Sequence, residues 1–303
     1  MKSFTSVEIR NFVSKSNYDG QVISREDQSW PRISIVTPSY NQGKFLERTI
    51  LSVLNQNYPN LEYIVIDGGS TDKSKEIIKK YEKYMAYWVS EKDDGQADAL
   101  RKGFDRGSGK IFAYLNSDDV YLPGTLLRIA GIFRNSPSEN VVYGNKYLID
   151  EQDKIIGERR LTPYIPFVSK LGFLYGGFGI YQPASFWTRD LYCHVGEIDT
   201  SLQHCMDNDL FVRYALAGAK FKFVREFLTG SRIHPDSKTS TLQSIAKKEG
   251  QILKNKYCTC NSKLLVLFFL SFIRTIRTII HIVQGDSVYL FKRKITSEMR
   301  QIP

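Results

Sequence analysis

Short apolar runs alternate with amphipathic stretches between residues 32 and 135. Each apolar run has the length and composition of a buried strand. In the stretches between them, apolar residues recur at helical spacing, as at Leu46, Ile50 and Val53. Strands that alternate with helices predict an α/β fold whose mostly parallel sheet is covered on both faces. The predicted strands are 33–36, 63–66, 87–89 and 111–115.

The pattern becomes less regular after residue 141, and it divides the chain into three parts. A helix over 207–216 and a strand over 221–224 are the clearest elements of the later region. Residues 1–31 are mixed and polar without a period, which predicts a loosely structured N-terminal arm. We therefore expect one α/β domain over 32–240, with halves at about 32–120 and 121–240, and a tail over 241–303.

The composition is that of a globular protein with a sizeable core, at 42% hydrophobic and 24% charged residues. Its four cysteines are scattered, which argues against a disulfide-rich secreted scaffold. The first eight residues contain no apolar core of a signal peptide. These features predict a protein of the reducing cytoplasm.

The formal net charge of +10 is concentrated near the C-terminal end. Residues 241–303 hold 11 Lys and Arg residues against 3 Asp and Glu residues, a net charge of +8. A basic surface spread over a whole domain would indicate nucleic acid, whereas a basic tail beside apolar residues favours an anionic membrane surface. We therefore expect no nucleic-acid partner.

Residues 263–283 predict an amphipathic helix within this basic tail. Arg274 and Arg277 interrupt its apolar run, which is then shorter than the about 20 residues of a spanning helix. These arginines share one helical face with His281, and apolar residues form the other face. This favours a helix in the plane of a membrane surface, with the basic cluster 292–294 near anionic headgroups. The alternative is a helix that packs on the α/β domain or on a second subunit of a homo-oligomer.

Several familiar nucleotide and metal motifs are incomplete in this chain. The segment 107–110 lacks the earlier glycine and the following hydroxyl of a phosphate loop, and it precedes a strand. No predicted strand leads into a G-x-G-x-x-G motif that opens a helix. The spacing of Cys258 and Cys260 does not suit zinc, and no second pair accompanies it. The sequence thus argues against ordinary ATPases, dehydrogenases and zinc enzymes.

Two adjacent carboxylates, Asp118 and Asp119, directly follow the fourth predicted strand. Ligands of such sheets bind beyond the carboxyl ends of the strands. Neighbouring carboxylates repel each other, and a hard divalent cation that shares its coordination with substrate phosphates relieves this repulsion. The alternative is a capped turn, because Asn, Ser and Asp favour turns without any ligand.

Five motifs occur in order along the chain: Thr37-Pro38-Ser39-Tyr40-Asn41, Asp67-Gly68-Gly69-Ser70-Thr71-Asp72, Asn116-Ser117-Asp118-Asp119, Met206-Asp207-Asn208-Asp209-Leu210 and Arg232-Ile233-His234-Pro235. Each motif is weak alone, but the ordered set, which covers roughly residues 32–240, resembles the family 2 glycosyltransferases. The resemblance implies an inverting enzyme with the GT-A fold, a donor half and an acceptor half, and a Mn²⁺ or Mg²⁺ ion.

The resemblance also implies a role for each matching residue. The donor nucleotide would contact Thr37 and Pro38, Tyr40 beside the base, Asp67 at a ring nitrogen, Asp93 in the base pocket and Asp118 at the ribose. The metal would be held by Asp119 and contacted by His234, although a histidine before a proline is also common in plain loops. Arg101 would lie near the donor phosphates, at a position where some family members carry asparagine.

The catalytic base implied by the resemblance is Asp207, with Asp209 as the alternative. Inversion needs a carboxylate that removes the proton of the acceptor hydroxyl as it attacks the anomeric carbon. Two residues apart on a helix, these side chains point about 200° apart, so only one of them can face the site. Family members carry an acidic residue before the base, where this chain has Met206. Capping of the helix N-terminus is the alternative role for either aspartate.

These observations predict an inverting hexosyl- or N-acetylhexosaminyl-transferase. Its donor would be a nucleotide sugar, most simply UDP-linked, and its acceptor a hydroxyl of a glycan or of a lipid-linked acceptor. By family analogy, the setting is bacterial polysaccharide or O-antigen assembly on the inner face of the cell membrane. The alternative is a scaffold protein that binds the nucleotide sugar without turnover, which the departure at Met206 favours.

Overall fold

The structure is a computed structural model that describes residues 3–18, 29–175, 179–258 and 262–291. The basic cluster 292–294 and part of the N-terminal arm lie outside the described residues. The strands are β1 (Ile33–Ser39), β2 (Leu61–Asp67), β3 (Tyr87–Ser90), β4 (Ile111–Tyr114), β5 (Val120–Tyr121), β6 (Val141–Ile149), β7 (Ile155–Arg159), β8 (Ser185–Thr188) and β9 (Phe221–Arg232).

The helices are α1 (Ser6–Ser14), α2 (Leu46–Leu54), α3 (Ser74–Tyr81), α4 (Gln96–Arg106), α5 (Thr125–Asn135), α6 (Pro166–Tyr175), α7 (Arg189–Val195), α8 (Met206–Leu216), α9 (Lys238–Thr241), α10 (Gln243–Tyr257) and α11 (Lys263–Val283). The chain divides into two compact units. The first comprises Met1–Leu161 and Ile180–Gln251, and the second comprises Thr162–Gly179 and Ile252–Pro303.

The first unit contains a mixed sheet with the order β3-β2-β1-β4-β8-β6-β9-β5, and β7 pairs with β6. The strands β3, β2, β1 and β4 are parallel, as are β6 and β9, while β8, β5 and β7 add antiparallel pairs. The predicted α/β class is therefore confirmed, and all four strands predicted between residues 33 and 115 are present.

Both faces of β1 are covered, as expected for a central parallel strand. Ile33 and Ile35 join the core cluster that contains Ile50 of α2. On the opposite face, α4 lies so close to Val36 that a β-carbon on Gly103 would be 2.3 Å from a Val36 methyl carbon. A glycine in α4 thus permits the close approach of helix and strand.

The N-terminal arm is more ordered than the sequence predicts, and the expectation of a loose arm is wrong for α1. Thr5 and Glu8 form a reciprocal capping box at its start. Ile9 and Val13, four residues apart, are buried, and they pack in a cluster with Phe227 of β9. A helix with only two buried positions is too short for its periodicity to stand out in the sequence.

The second unit contains α6 and α11, which contact each other. On α11, Leu264 is 80% exposed, Phe268 64% and Ile279 53%. By length and composition alone, Leu264–Val283 is apolar enough to cross a membrane. The predicted C-terminal helix is therefore present over Lys263–Val283, but its two arginines do not make its apolar stretch too short to span, which corrects that expectation.

His281 does not lie on an exposed basic face, which corrects the sequence expectation. Its Nδ1 is 3.0 Å from Oδ2 of Asp286, and both side chains are buried. The helix ends at Val283, and Gly285, with a φ of +77°, turns the chain so that the Asp286 N–H donates to the His281 carbonyl. This left-handed turn brings the carboxylate back to the imidazole.

Candidate active site

A cavity of about 760 Å³ lies in the first unit at the carboxyl ends of β1, β2 and β4. Parallel α/β sheets bind ligands at this edge because their loops converge there. Among the residues that the sequence analysis singled out, the cavity is lined by Pro38, Tyr40, Asp93, Asp118 and Asp119. Tyr40 is 62% exposed, so its ring is free to meet a ligand.

Asp118 and Asp119 are held by the end of β9, which lies beside them. The backbone N–H of Arg232 donates to the Asp119 carboxylate over 2.9 Å, and the Arg232 guanidinium donates to the Asp118 carbonyl. His234 places its Nε2 3.0 Å from Oδ2 of Asp118. Two separate motifs, one with Asp118 and Asp119 and the other with His234, are therefore brought together beside the cavity.

The guanidinium of Arg232 connects this turn to the loop after β6. It forms a buried ion pair with Asp153 at 2.7 Å and also donates to the carbonyl of Asp150. Arg48 binds the other oxygen of Asp153 at 2.9 Å. The two arginines and one carboxylate fix the loop after β6 against the Asp118–Asp119 turn, and sequence reasoning did not identify this network.

Burial raises the pKa of the Asp119 carboxyl, and the charge of Asp118 raises it further. Lys146, from β6, opposes this effect through its positive charge. A buried carboxylate whose pKa is raised by a neighbouring carboxylate is an electrostatic arrangement that a divalent cation stabilises.

The donor set fits a divalent cation that is shared with a substrate. The described residues contain no group of three or more His, Cys, Asp or Glu side chains arranged to hold a metal alone. Mg²⁺ and Mn²⁺ usually take one or two protein carboxylates and complete their coordination with substrate phosphates. Asp119, with Asp118 and His234 next to it, offers the carboxylate oxygens and imidazole nitrogen that such an ion accepts.

Asp67 is buried at the end of β2 and stabilises the turn that follows. Its carboxylate accepts hydrogen bonds from the N–H and hydroxyl of Ser70 and from the hydroxyl of Ser90. It does not line the cavity itself, whereas the neighbouring Gly68 and Gly69 do. Asp67 thus shapes the wall of the cavity.

Asp93 lies directly against the backbone of Gly68. A β-carbon on Gly68 would be 2.8 Å from a carboxylate oxygen of Asp93, so a larger residue would displace this carboxylate. Burial raises the pKa of Asp93, and the N–H of Gly95 lowers it by donating to the carboxylate. The positive φ of Gly95, at +108°, allows this tight turn before α4.

Thr37 and Arg101, both assigned to the donor by the resemblance, do not line the cavity. Thr37 is buried within β1 and accepts a hydrogen bond from the Tyr63 hydroxyl at 3.1 Å. Arg101 is held on the surface of α4 by Asp98 at 2.9 Å and by Asp105 at 3.4 Å.

Asp207 and Asp209 have different environments on α8. Asp209 is fully buried and forms an ion pair with Arg213 at 2.8 Å. The guanidinium of Arg213 also donates to the carbonyls of three residues, Val195, Gly196 and Glu197. Asp209 therefore anchors the end of α7 to α8.

Asp207 is half-buried, and its carboxylate accepts a hydrogen bond from the N–H of Asn208. Burial raises its pKa, although that hydrogen bond and the charge of His204 lower it. A carboxylate with a raised pKa in a partly desolvated position is suited to general-base catalysis.

Lys146 interacts electrostatically with both Asp119 and Asp207, and it was not predicted from the sequence. Burial lowers the pKa of its ammonium group, while Asp119 and Asp207 raise it. Its Nζ is 3.2 Å from the Ser231 hydroxyl and 5.0 Å from the centre of the Tyr181 ring. A lysine within the apolar run of β6 is the sequence signal that points to this position.

A second cation, Lys238, lines the cavity and was also not predicted. Its Nζ donates to Oε1 of Gln96 and to the carbonyl of Gln203, both at 2.8 Å. Gln96 in turn donates to Oδ1 of Asn116 at 2.6 Å. An exposed lysine at the first position of a short helix carries no distinctive sequence signal, so only the fold shows that it lies at the cavity.

Comparison with known proteins gives the same assignment as the motifs. The model of the family "Glycosyl transferase family 2" matches residues 34–191. An uncharacterized glycosyltransferase of Rickettsia typhi is 29% identical over 221 residues, which cover 70% of this chain and 67% of that protein. The putative teichuronic acid biosynthesis glycosyltransferase TuaG of Bacillus subtilis is 39% identical over 96 residues, which cover 30% of this chain and 37% of that protein.

Two solved structures share the fold. Staphylococcus aureus TarS residues 1–349, in complex with UDP-GlcNAc, aligns with a TM-score of 0.55 at 18% identity, covering 69% of this chain and 61% of that chain. The mannosyltransferase PcManGT of Pyrobaculum calidifontis, in complex with GDP-Man and Mn²⁺, aligns with a TM-score of 0.55 at 16% identity, covering 96% and 88%. With the ordered motifs, the cavity and the family match in agreement, the chain belongs to glycosyl transferase family 2.

Proposed function

We propose that this glycosyltransferase moves a hexosyl or N-acetylhexosaminyl group from a UDP-linked donor to a hydroxyl of a glycan or lipid-linked acceptor, with inversion. One observation carries the proposal: Asp119 and Asp207 both act electrostatically on Lys146 and on Tyr114. The carboxylate proposed to serve the diphosphate and the one proposed as base therefore both lie near enough to act on the same lysine and on the same buried tyrosine. This is the arrangement expected where a donor meets an acceptor.

The donor would occupy the cavity that Asp118 and Asp119 line. Tyr40 and Asp93 are proposed to contact the nucleoside, and Lys238, which lines the same cavity, is proposed to contact a phosphate. When a Mn²⁺ or Mg²⁺ ion is bound, held by Asp119 with His234 nearby, it stabilises negative charge on the departing diphosphate. TarS is bound to UDP-GlcNAc and PcManGT to GDP-Man, so the two structures support a nucleotide-sugar donor, and the UDP link is part of the proposal.

Asp207 is proposed to remove the proton of the acceptor hydroxyl. The hydroxyl oxygen forms the new bond to the anomeric carbon from the face opposite the nucleotide, and the bond to the diphosphate oxygen breaks. A single displacement of this kind inverts the anomeric configuration. Asp209 is a poorer candidate, because its ion pair with Arg213 holds it inside the core.

The reaction is testable by proton NMR of the sugar product with UDP-N-acetylglucosamine and Mn²⁺. Slow transfer to water suffices, because the new anomeric proton reports the stereochemistry before mutarotation. We expect UDP release and a β-configured product from the α-linked donor. If wild type releases UDP no faster than Asp207→Asn does, while it binds UDP normally, the protein is instead a scaffold that binds the nucleotide sugar without turnover.

The cellular setting is proposed to be cell-surface glycan assembly at the inner face of the cell membrane. The name of TuaG refers to teichuronic acid biosynthesis. The exposed apolar side chains of α11 lie in a part of the chain whose net charge is +8 over residues 241–303. An apolar helical face beside many basic residues suits the surface of an anionic bilayer.

Flotation with anionic liposomes tests this attachment. A double substitution, Phe268→Glu with Phe272→Glu, places charge on the exposed apolar face, whereas Leu127→Glu alters an exposed apolar residue of α5 as a control. We expect wild type and the control to float and the double variant to stay in solution. Equal flotation of all three proteins, or of none, would reject attachment through α11.

A further inference from the structure

Glu249 of α10 binds three consecutive backbone N–H groups in the loop before α8. Its carboxylate accepts from Gln203 at 2.6 Å, from His204 at 2.9 Å and from Cys205 at 2.8 Å. Glu249 is only 6% exposed, so these bonds form in a largely water-free environment. Hydrogen bonds to a charged acceptor are stronger than neutral ones, and burial strengthens them further.

The third of these groups, the N–H of Cys205, lies at the start of α8, where a helix needs external partners. The first N–H groups of an α-helix lack acceptors within the helix. The residue before α8, Cys205, makes no side-chain capping bond. Glu249, 44 residues away from Cys205, supplies a carboxylate at the helix N-terminus, where the helix dipole favours negative charge.

This carboxylate has a consequence for Asp207, in the first turn of the same helix. An aspartate there could cap the helix N-terminus and point back at the backbone. Glu249 binds the preceding amides, and the Asp207 carboxylate bonds to the N–H of Asn208 only one residue ahead. The Asp207 carboxylate thus bonds to the backbone of its own turn through Oδ1, and Glu249 instead binds the amides that precede it.

Lys238 holds the same loop from its other side. Its Nζ donates to the Gln203 carbonyl at 2.8 Å, while Glu249 accepts from the Gln203 N–H. Lys238 also binds Gln96, and Gln96, Gln203 and Lys238 all line the donor cavity. The loop is therefore fixed to the cavity by Lys238 and to α10 by Glu249.

We propose that Glu249 is a positioning residue, which holds residues 203–205 so that Asp207 faces the acceptor. This inference rests on the proposed role of Asp207 as the base. Lys238 keeps Gln203 at the donor cavity when Glu249 is absent, so loss of Glu249 affects turnover more than donor binding. The sequence alone does not predict that Glu249 contacts residues 203–205.

The test compares Glu249→Ala and Glu249→Gln with Lys248→Ala, which alters an exposed neighbour on α10. The first readout is amide hydrogen exchange of residues 203–205 in the full chain. The second is kcat for hydrolysis of UDP-N-acetylglucosamine in Mn²⁺, beside the Kd for UDP. A glutamine keeps one acceptor oxygen, so it restores part of what alanine removes.

In Glu249→Ala we expect faster exchange at these amides and a kcat lower by about 10- to 100-fold, as displacement of a reacting group by about 1 Å produces. The Kd for UDP should change by less than about threefold, and Glu249→Gln should lie between Glu249→Ala and wild type. Unchanged exchange, a kcat equal to that of Lys248→Ala, or a proportional loss of UDP binding would overturn the proposal. If wild type itself releases no UDP, the transferase proposal fails, and hydrogen exchange alone then decides whether Glu249 holds the loop.

Discussion

The Nε2 of His234 lies 3.0 Å from Oδ2 of Asp118, although 116 residues separate the two in sequence. The antiparallel pairing of β5 with β9 produces this contact, because it sets Val120 opposite Gly230 and so brings the flanking segments together. A β-carbon at residue 230 would be 3.2 Å from side-chain carbons of Val120 and Ile149, so a residue larger than glycine would have to displace these side chains slightly. Sheet register therefore assembles the acidic edge of the cavity.

Replacing Asp119 by alanine should remove the Mn²⁺-dependent part of nucleotide binding. The affinity for UDP in Mn²⁺ should fall at least about tenfold, because a ligand that orients the metal is lost. Calorimetry with and without Mn²⁺ measures this effect. Asp105→Ala removes a carboxylate from the surface of α4 and serves as the control. Equal UDP affinity in the two variants would contradict the assignment of Asp119.

Replacing Asp207 by asparagine should separate binding from transfer. Loss of a general base lowers kcat by about 10²- to 10⁴-fold, whereas the donor cavity is lined by other residues. UDP binding should remain within a few fold of wild type, and Asn208→Ala, at an exposed neighbouring position, should behave like wild type. Near-normal turnover in Asp207→Asn would move the role of base to another residue.

The pH dependence of kcat should have an acidic limb that lies above the ordinary pKa of an aspartate. Burial raises the pKa of Asp207, and the base acts only when deprotonated, so kcat rises with pH through that limb. The folded protein keeps this proton to a higher pH than the unfolded chain does. The free energy of unfolding therefore falls as pH rises through the raised pKa. Asp207→Asn should therefore lack the limb and unfold at a higher temperature than wild type at neutral pH. Equal melting temperatures at neutral pH would contradict the raised pKa.

Replacing Asp209 by alanine should reduce stability, because the Arg213 guanidinium loses its anionic partner. Removing one partner of a buried ion pair costs about 3–5 kcal/mol. Urea unfolding of Asp209→Ala measures the change, with Asp190→Ala, an exposed aspartate in the first turn of α7, as the control. A similar free energy of unfolding for the two variants would show that the Asp209–Arg213 pair does not anchor α7 to α8.

Two helix glycines should respond in opposite directions to alanine. In Gly103→Ala the new methyl would lie 2.3 Å from Val36, and overpacking of this kind costs about 1–3 kcal/mol. A β-carbon on Gly131 of α5 would meet no atom of the described residues within 4 Å outside its own helix backbone. Gly131→Ala should therefore stabilise the helix by about 0.5–1 kcal/mol. Chemical denaturation of both variants checks the pair, and equal signs would contradict the close contact of α4 with β1.

The sequence predicts the elements whose burial is periodic. β1 to β4 are recognisable because each is a continuous apolar run, and α4 because a glycine precedes amphipathic spacing. Contacts between residues that are far apart in the sequence produce no such periodic pattern. Neither the ion pair of Arg232 with Asp153 nor the binding of Glu249 to residues 203–205 follows from local pattern.

The separation of Asp207 from Asp209 shows what local reasoning can reach. A two-residue step on a helix turns side chains about 200° apart, which predicts different environments for the two carboxylates. Arg213 stands four residues after Asp209, a spacing that allows an ion pair on one helical face. The burial of that pair depends on α7, however, and its consequence for the site could be seen only in the fold.

The central claim is that the cavity at the strand ends binds a sugar nucleotide together with a divalent cation. Calorimetric titration with UDP, GDP, CDP and dTDP, each with and without Mn²⁺, tests it most directly. We expect UDP to bind in a Mn²⁺-dependent manner and to bind more tightly than the other three nucleotides. Absence of binding by all four nucleotides would mean that the acidic cluster at Asp118 and Asp119 is structural, and it would contradict the proposed function.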